Sequence, residues 1–155
     1  MSALVPISLC VITRDAAGEL DACLASAAFA DEVIVVDSGS ADDTVEIARR
    51  RGARVVCRGW PGYGAQKNFA VAAARHDWVL CLDADERVTP ELARAIRAAL
   101  ADPGAMAGYR MARRNRFLGR WLRHGEGYPD WNLRLFDRRR ARWTEDPVHE
   151  HVVAD

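Results

Sequence analysis

The chain has 155 residues, half of them hydrophobic, and its 22 basic side chains balance 22 acidic ones. This length and apolar fraction suit a single domain with its own core, and they exclude a disordered tail, a collagen-like fibre and a disulfide-stapled miniprotein. A net charge of zero also argues against a nucleic-acid partner, because nucleic-acid-binding domains usually carry a basic balance.

The charges are unevenly distributed along this single domain, 1–155. Residues 1–109 carry 11 basic and 15 acidic side chains, whereas residues 110–142 carry 11 arginines and only three acids. Residues 143–155 carry four acids and no base. The chain therefore consists of a slightly acidic body, a strongly basic segment and a short acidic end.

Four short apolar runs predict strands buried on both faces. They are Ile7–Ile12, Glu32–Asp37, Ala53–Arg58 and Trp78–Asp83. Stretches with helical spacing lie between them, and Thr89 followed by Pro90 predicts the start of a fourth helix. Ser40, with an acid three residues later, is predicted to cap the second helix. The alternation is typical of an α/β fold, a mostly parallel sheet covered by helices on both faces.

The pattern changes after Gly104. Two further strands are predicted, Gly108–Ala112 and Trp131–Phe136, joined by a long loop rich in arginine, glycine and aromatic residues. Within that loop a short interfacial helix is predicted, with Phe117, Leu118, Trp121 and Leu122 on one face and Arg116, Arg120 and Arg123 elsewhere. Such a helix would give 110–142 a peripheral contact with an anionic membrane. Two alternatives are that these arginines grip an anionic substrate directly or form a solvated face.

The compartment is predicted from cysteine usage and from the first residues. Cys10, Cys23, Cys57 and Cys81 form no Cys-x-x-Cys pair, and we interpret them as reduced core residues. The apolar start lacks a basic leading region, and no stretch approaches the roughly 18–20 uncharged residues of a membrane span. We therefore expect a cytoplasmic protein with at most peripheral contact with a membrane surface.

Acidic residues lie at the carboxyl ends of two predicted strands, where open parallel sheets bind ligands. Asp37 closes the second strand and Asp83 closes the fourth, followed two residues later by Asp85. A spacing of two in extended chain places Asp83 and Asp85 on the same side. Two such carboxylates suit Mg²⁺ or Mn²⁺, with phosphate oxygens as further ligands. The plain alternative is that they cap the following turn.

Several motifs occur together in one order: VIVVDSGSADDT at 33–44, GYGAQKNFA at 62–70, WVLCLDADERVTPEL at 78–92, YPDWNLRLFDRR at 128–139 and PVHEHV at 147–152. With GYRMARRNRFLGRWLRHG at 108–125, they cover nearly the whole chain. The chain thereby resembles the family 2 glycosyltransferases, in particular the subgroup that builds the lipopolysaccharide inner core. The resemblance implies a GT-A fold, a nucleotide-diphosphate sugar donor and a divalent metal.

The resemblance also implies roles for individual residues. Thr13 and Arg14 would border the nucleotide, Asp37 would contact the base or ribose, and Lys67 would lie near uracil or phosphate. Asp83 would face the ribose or the metal, and Asp85 would be the principal metal ligand. Lys67 stands out on its own as well, because it is the sole lysine beside 21 arginines. A compact ammonium suits an oxygen that a planar guanidinium would crowd.

The implied reaction displaces the nucleoside diphosphate with inversion, and it requires a base for the acceptor hydroxyl. Asp130 is the first candidate, because related enzymes place a catalytic carboxylate just ahead of this strand. Glu150, beside His149, is the second candidate. For both residues the plain alternative is an ordinary loop acid.

We expect residues 1–109 to hold the nucleotide sugar and the metal, and residues 110–155 to face a lipid-linked or oligosaccharide acceptor. Related proteins usually continue past the His-Glu region, so a C-terminally truncated enzyme is expected. One alternative function is therefore a nucleotide-sugar-binding remnant without transfer activity. Another is a nucleotidyltransferase, although Thr13–Gly18 poorly matches the glycine- and arginine-rich loop of that class.

Overall fold

The computed structural model describes residues 4–114, 116–117, 120–121, 130–147 and 149–155. Within them the strands are β1 (Ile7–Thr13), β2 (Glu32–Asp37), β3 (Arg54–Cys57), β4 (Trp78–Asp83), β5 (Gly108–Arg113), β6 (Arg116–Phe117), β7 (Arg120–Trp121), β8 (Asp130–Asp137), β9 (Ala141–Trp143) and β10 (Val152–Ala154). The helices are α1 (Leu20–Ser26), α2 (Thr44–Arg50), α3 (Tyr63–Ala73) and α4 (Pro90–Ala101). The predicted fourfold alternation of strand and helix is confirmed.

Six strands form the central sheet in the order β3-β2-β1-β4-β8-β5. The first four are parallel, and β8 runs antiparallel to both β4 and β5. Because the chain builds outward from β1 to β3 and then returns to place β4 on the other side of β1, the strand order reverses between β1 and β4. The carboxyl ends of the strands on either side of such a reversal form the usual ligand crevice. The first residues of the antiparallel β8 lie at this same edge.

Each face of the sheet buries its own apolar cluster. On one face α1, α2 and α4 pack against the sheet through residues such as Leu20, Ile47 and Ile96. On the other face α3 and the β9–β10 pair bury Trp143 and Val152 against the strands. The central strands are apolar at nearly every position because both of their faces are covered.

Helix starts differ in how well the sequence predicts them. α4 begins as expected: Thr89 Oγ1 accepts a hydrogen bond from the Leu92 amide at 3.1 Å, and Pro90 occupies the first turn. The predicted Ser40 cap of α2 is wrong, because this helix begins at Thr44. Ser40 Oγ instead donates to the Asp37 carboxylate at 2.5 Å, since a buried charged acceptor binds a hydroxyl more strongly than a helix terminus does.

The predicted interfacial helix is wrong for the residues that the structure describes. Arg116–Phe117 and Arg120–Trp121 are antiparallel strands, with Arg116 opposite Trp121. Aromatic residues favour strands, and Gly119 in the intervening sequence weakens a helix. Leu118, Leu122 and Arg123 lie outside the described residues. In the described part of the chain no helix is both long and apolar enough to cross a bilayer.

All four cysteines carry free thiols, as expected. Cys10, Cys23 and Cys81 are buried, but Cys57 is exposed. The prediction that Cys57 belongs to the core is therefore wrong. The reason is that β3 is the edge strand of the sheet, and two of its four side chains face solvent.

Candidate active site

Thr13, Asp37 and Asp83 end β1, β2 and β4 and so meet at one edge of the sheet. Asp37 is only 1 % exposed. Its carboxylate accepts hydrogen bonds from Thr13 Oγ1 at 2.8 Å, the Ser40 amide at 2.8 Å, the Gly39 amide at 3.0 Å and the Ser40 hydroxyl. Burial alone would raise the pKa of Asp37, but these donors outweigh it and the pKa lies below its ordinary value. Asp37 is thus a fixed anion at the sheet edge.

The loops that follow β1 and β2 are bonded to each other. Asp15 has a positive φ of 49°, its amide donates to Ser40 Oγ at 2.8 Å, and its carboxylate accepts from the Ala41 amide at 2.7 Å. The Ala16 amide donates to Thr44 Oγ1 at 2.8 Å. Aspartate tolerates this left-handed backbone better than most residues. The hydrogen bonds between the two loops fix the backbone after Thr13, where Arg14 follows with an exposed side chain.

Lys67 joins two acids that are distant in the sequence. Its side chain on α3 is only 8 % exposed. Its Nζ atom lies 3.0 Å from Glu150 Oε1, 3.4 Å from Asp83 Oδ1 and 4.2 Å from the centroid of the Trp143 ring. A buried ammonium requires such partners, because leaving it unpaired would cost several kcal/mol. The structure therefore brings together three of the residues predicted for the site.

Arg134 is a central residue of the site that the sequence reasoning missed. The pairing of β5 with β8 skips this residue, since Tyr109 lies opposite Leu135 and Arg110 opposite Leu133. Such a bulge redirects one side chain out of the regular alternation. Arg134 points at the end of β4, with NH1 2.7 Å from Glu86 Oε1 and NH2 3.5 Å from Asp83 Oδ2.

The charge of Arg134 is compensated although its side chain is 9 % exposed. Burial would lower its pKa, but the carboxylates of Glu86 and Asp83 outweigh this and raise it. Glu86 Oε1 also accepts a hydrogen bond from the Asp83 amide at 2.7 Å. Glu86 therefore holds the backbone of Asp83, and Arg134 holds its carboxylate. An arginine between Leu133 and Leu135, two apolar residues of β8, was the available sequence signal.

At one end the charged network reaches Asp130, the first candidate for the base. Arg113 lies at the end of β5, with NH1 3.8 Å from Glu86 Oε2 and NH2 3.1 Å from Asp130 Oδ2. The Asp130 side chain is 36 % exposed. Alternating charges thus run from Glu150 through Lys67, Asp83, Arg134, Glu86 and Arg113 to Asp130. Both candidate bases belong to one network, at its two ends.

Asp85 stands apart from this network. It lies in the turn after β4 and is exposed, and none of the described residues forms an ion pair or hydrogen bond with it. Among the described residues no group of three or more His, Cys, Asp or Glu side chains could hold a metal ion. Two carboxylates are therefore available as ligands for a cation. Asp85 has no partner among the described residues, whereas Asp83 already pairs with Lys67 and Arg134. Mg²⁺ commonly takes one or two carboxylates and completes its shell with phosphate and water oxygens.

Beside Asp83 the surface opens into a cleft of about 500 Å³. Its charged lining consists of Lys67, Asp83, Arg110, Arg113, Arg134 and Glu150, and its other lining residues include Trp131, Trp143, His149 and His151. Because β8 and the segment before β10 form the walls, the cleft extends from Asp83 away from Asp37. The edge of the sheet therefore carries a buried, hydrogen-bonded carboxylate at Asp37 and an open cleft lined by charged side chains beyond Asp83.

Gly64 has a packing role at the start of α3. A Cβ atom there would lie 1.9 Å from the Thr144 carbonyl oxygen and 2.9 Å from Glu145 Cα. The absence of a side chain lets α3 approach the segment that leads to Glu150. This approach places Glu150 over Lys67.

A doubly wound sheet with anionic residues at its carboxyl edge and a cleft beside them is typical of α/β proteins that bind a ligand at this edge. Residues 8–153 match the profile of Glycosyl transferase family 2, and the chain belongs to this family. The predicted family and the predicted GT-A type of fold are both confirmed.

Known proteins cover different parts of the chain. It is 30% identical to the lipopolysaccharide core biosynthesis glycosyltransferase LpsC of Rhizobium meliloti, over 97% of this chain and 58% of LpsC. It is 44% identical to a TPR repeat-containing protein of Synechococcus elongatus, over 68% of this chain and 27% of that protein. The chain thus spans little more than half of the first relative and about a quarter of the second.

Solved structures agree with the fold. S. aureus TarS 1–349 in complex with UDP-GlcNAc superposes with a TM-score of 0.54 at 27% sequence identity. The superposition covers 63% of this chain and 31% of that chain.

Proposed function

We propose that this chain is the catalytic domain of a metal-dependent, inverting glycosyltransferase. It would move a sugar from a nucleotide-diphosphate donor to a hydroxyl of a lipopolysaccharide core or related surface glycan. The observation that carries the proposal is the convergence of Thr13, Asp37 and Asp83 at one sheet edge beside an open cleft, with Asp85 in the turn that follows Asp83. The LpsC likeness over 97% of this chain supports the lipopolysaccharide acceptor.

The donor would bind at the Asp37 side of the edge. Asp37 is held as an anion with its position fixed, and the four hydrogen bonds that its buried carboxylate accepts order the 38–40 turn, so a base or ribose would contact it in exchange for one of these donors. Thr13 and Arg14 would border the nucleotide. Lys67 lies within 3.4 Å of Asp83 and supplies positive charge on the diphosphate side. The UDP-GlcNAc complex of TarS supports a nucleotide sugar as the donor class.

Asp85, with Asp83, would hold Mg²⁺ or Mn²⁺. The fit rests on the donor chemistry, an exposed carboxylate without a described partner next to a second carboxylate at the strand end. When bound, the cation would supply Lewis acidity toward the departing diphosphate. Arg134 and Glu86 would position this turn, because together they hold the backbone amide and the carboxylate of Asp83.

Asp130 is our first candidate for the general base. The acceptor oxygen would attack the anomeric carbon opposite the diphosphate, the donor C–O bond would break, and the acceptor proton would pass to a carboxylate oxygen of Asp130. Its one ion pair in the described residues, with Arg113, is at a half-exposed site where such pairs contribute little. Glu150 is the second candidate, and its tie to buried Lys67 makes it less free.

A test begins with donor binding. Nucleotide diphosphates and their sugars are screened by thermal shift with Mn²⁺ or Mg²⁺, since a ligand bound only by the folded state raises Tm. Asp85→Asn is expected to lower metal-dependent donor affinity by about tenfold or more. Asp102→Asn, an exposed acid at the end of α4, is the matched control. Equal donor binding in both variants would contradict the role of Asp85.

Transfer to a core oligosaccharide then tests the base. Asp130→Asn is expected to abolish transfer while donor binding stays nearly intact. Turnover above about a tenth of that of the unmodified protein would place the base elsewhere, because general-base catalysis contributes about 10²–10⁴-fold. Donor binding without transfer to any acceptor in the unmodified protein would instead favour a nucleotide-sugar-binding remnant.

A further inference from the structure

Residues of β5 and β8 line one side of the cleft beside Asp83, and the proposed donor site gives them no role. The two strands pair with Arg110 opposite Leu133 and Ala112 opposite Trp131. Opposite residues in an antiparallel pair share a face, and diagonal neighbours on that face are close enough for long side chains to touch one ligand. Arg110 and Trp131 are such diagonal neighbours, and both line the cleft.

Trp131 is exposed to an unusual degree. Its relative exposure is 60 %, and it belongs to neither of the two core clusters. A large aromatic residue on the wall of a polar cleft is typical of a ligand site, because its rigid flat face offers apolar contact at low entropic cost. The C–H face of a sugar ring is a flat, weakly apolar surface of matching size.

Arg110 is the cation of the cleft lining that no described carboxylate neutralises by an ion pair. The lining holds four Lys or Arg side chains and two carboxylates. Lys67, Arg113 and Arg134 each lie within 4 Å of a carboxylate. Arg110 is exposed, and in the described part of the chain no carboxylate pairs with it. A guanidinium with a free planar fork suits a carboxylate or phosphate, which it can bind through two parallel hydrogen bonds.

We infer that Trp131 and Arg110 form an acceptor subsite for a sugar that bears a carboxylate or phosphate. The indole packs on the sugar ring, and the guanidinium pairs with the anionic substituent. That this sugar is the acceptor rests on the proposed function, whereas its chemical class rests on the cleft alone. The subsite lies beyond Asp83 from the donor side, so both substrates can be bound together.

Three small probes test the subsite without donor or metal: methyl glucuronide, glucose 6-phosphate and the neutral methyl glucoside. Dissociation constants are measured by ligand-observed NMR titration. At least one anionic probe is expected to bind about tenfold tighter than the neutral one, the usual gain from a hydrogen bond to a charged group. Comparison of the two anionic probes shows whether carboxylate or phosphate is preferred.

Variants separate the two contacts. Trp131→Ala is expected to weaken all three probes by similar factors, whereas Arg110→Gln is expected to abolish only the preference for anions. The matched controls are Trp60→Ala, which removes another exposed tryptophan, and Arg94→Gln, on the exposed face of α4. Both controls are expected to leave every dissociation constant unchanged.

Three results would overturn the subsite: no preference for either anion in the unmodified protein, unchanged binding in Trp131→Ala, or equal losses for charged and neutral probes in Arg110→Gln. Calorimetric titration with UDP and Mn²⁺ distinguishes this failure from failure of the proposed function. Lost probe preference with intact UDP binding counts against the subsite alone. Intact probe preference without binding of UDP or of any nucleotide diphosphate in the thermal-shift screen counts against the nucleotide-sugar function alone.

Discussion

Lys67 shows why one side chain cannot be exchanged for its nearest chemical relative at this site. The ammonium fits between Glu150, Asp83 and the face of Trp143, at 3.0, 3.4 and 4.2 Å. It is a compact charge that approaches all three from a single point. A guanidinium is longer, planar and directional, so it cannot satisfy the same three contacts in the same volume.

We predict that Lys67→Arg destabilises the fold by about 1–3 kcal/mol, the usual cost of overpacking a filled site. Donor affinity is expected to fall as well, because the arginine would displace Asp83 or Glu150. Urea unfolding measures the first effect, and calorimetric titration with the nucleotide sugar that gives the largest thermal shift in the donor screen measures the second. Arg94→Lys, an exposed exchange on α4, is the control. Unchanged stability and affinity in Lys67→Arg would show that a point charge is not needed there.

The sequence predicts some parts of this site better than others, for physical reasons. Asp37 and Asp83 can be placed because each directly follows an apolar run, and the carboxyl ends of parallel strands share one edge. The contact of Lys67 with Glu150 spans 83 residues and depends on how the β9–β10 pair docks on α3. The direction of the Arg134 side chain depends on a β-bulge, which shifts one residue out of the alternating pattern. Neither feature leaves a periodic signal.

The docking of α3 against β9 and the segment that follows it determines the geometry around Lys67. Asn68 reinforces it, since Nδ2 donates to the Trp143 carbonyl at 2.9 Å and Oδ1 accepts from the Trp143 amide at 3.0 Å. Gly64 allows the approach one turn earlier. The helix and the hairpin therefore behave as one unit, and displacing either would separate Glu150 from Lys67.

Gly64→Ala tests this docking. The new Cβ would lie 1.9 Å from a backbone carbonyl oxygen, which cannot move without shifting the 144–145 segment. A loss of about 1–3 kcal/mol in the free energy of unfolding is expected, as for other overpacked sites. Gly18→Ala is the control, because its Cβ meets nothing within 4 Å and its φ is not positive. Similar denaturation midpoints for the two variants would contradict close packing at Gly64.

At the scale of the whole molecule, burial sorts the four thiols into two classes. Cys57 is exposed on the edge strand, whereas the other three are covered by helices and strands. Burial, together with the nearby carboxylates of Glu86, Asp85 and Asp83, raises the pKa of Cys23 to about 12. The hydrogen bond with Cys81 and burial raise the pKa of Cys10 as well.

We predict that the native protein reacts rapidly with a thiol reagent at Cys57 alone, since reaction requires an accessible thiolate. In denaturant all four cysteines are expected to react. Absorbance with a chromogenic disulfide gives the stoichiometry, and Cys57→Ser provides the control that should remove the fast phase. A fast phase that survives this substitution would show that the sheet is open at a second cysteine.

The acid stability of the molecule follows from its hydrogen-bonded carboxylates. A bond from Arg139 is the main cause that lowers the pKa of Asp137, and bonds from Ser8, Arg75 and Arg54 overcome burial to lower that of Glu32. The pKa of Asp37 is lowered in the same way, because hydrogen bonds from Ser40, Thr13 and Gly39 outweigh its burial. Because each folded-state pKa lies below the unfolded value, these groups bind fewer protons when folded, and folding stability rises with pH where they titrate.

The stabilisation from these groups is therefore fully present above the unfolded pKa values of about 3.9 for Asp and 4.3 for Glu. It is lost as the pH falls through the lower folded values. We predict a free energy of unfolding that is nearly level from pH 7 to about 5 and declines below about pH 4.

Asp37→Asn should flatten part of this decline, because the amide does not titrate. It should also lower the free energy of unfolding by about 1–3 kcal/mol at pH 7, because its NH₂ group would face the donors that now bind the carboxylate. Asp43→Asn, at an α2 terminus without a side-chain cap bond, should match the unmodified protein in urea titrations across this range. An identical acid decline in Asp37→Asn would show that Asp37 does not carry the linkage and would remove the argument that it is a fixed anion at the sheet edge.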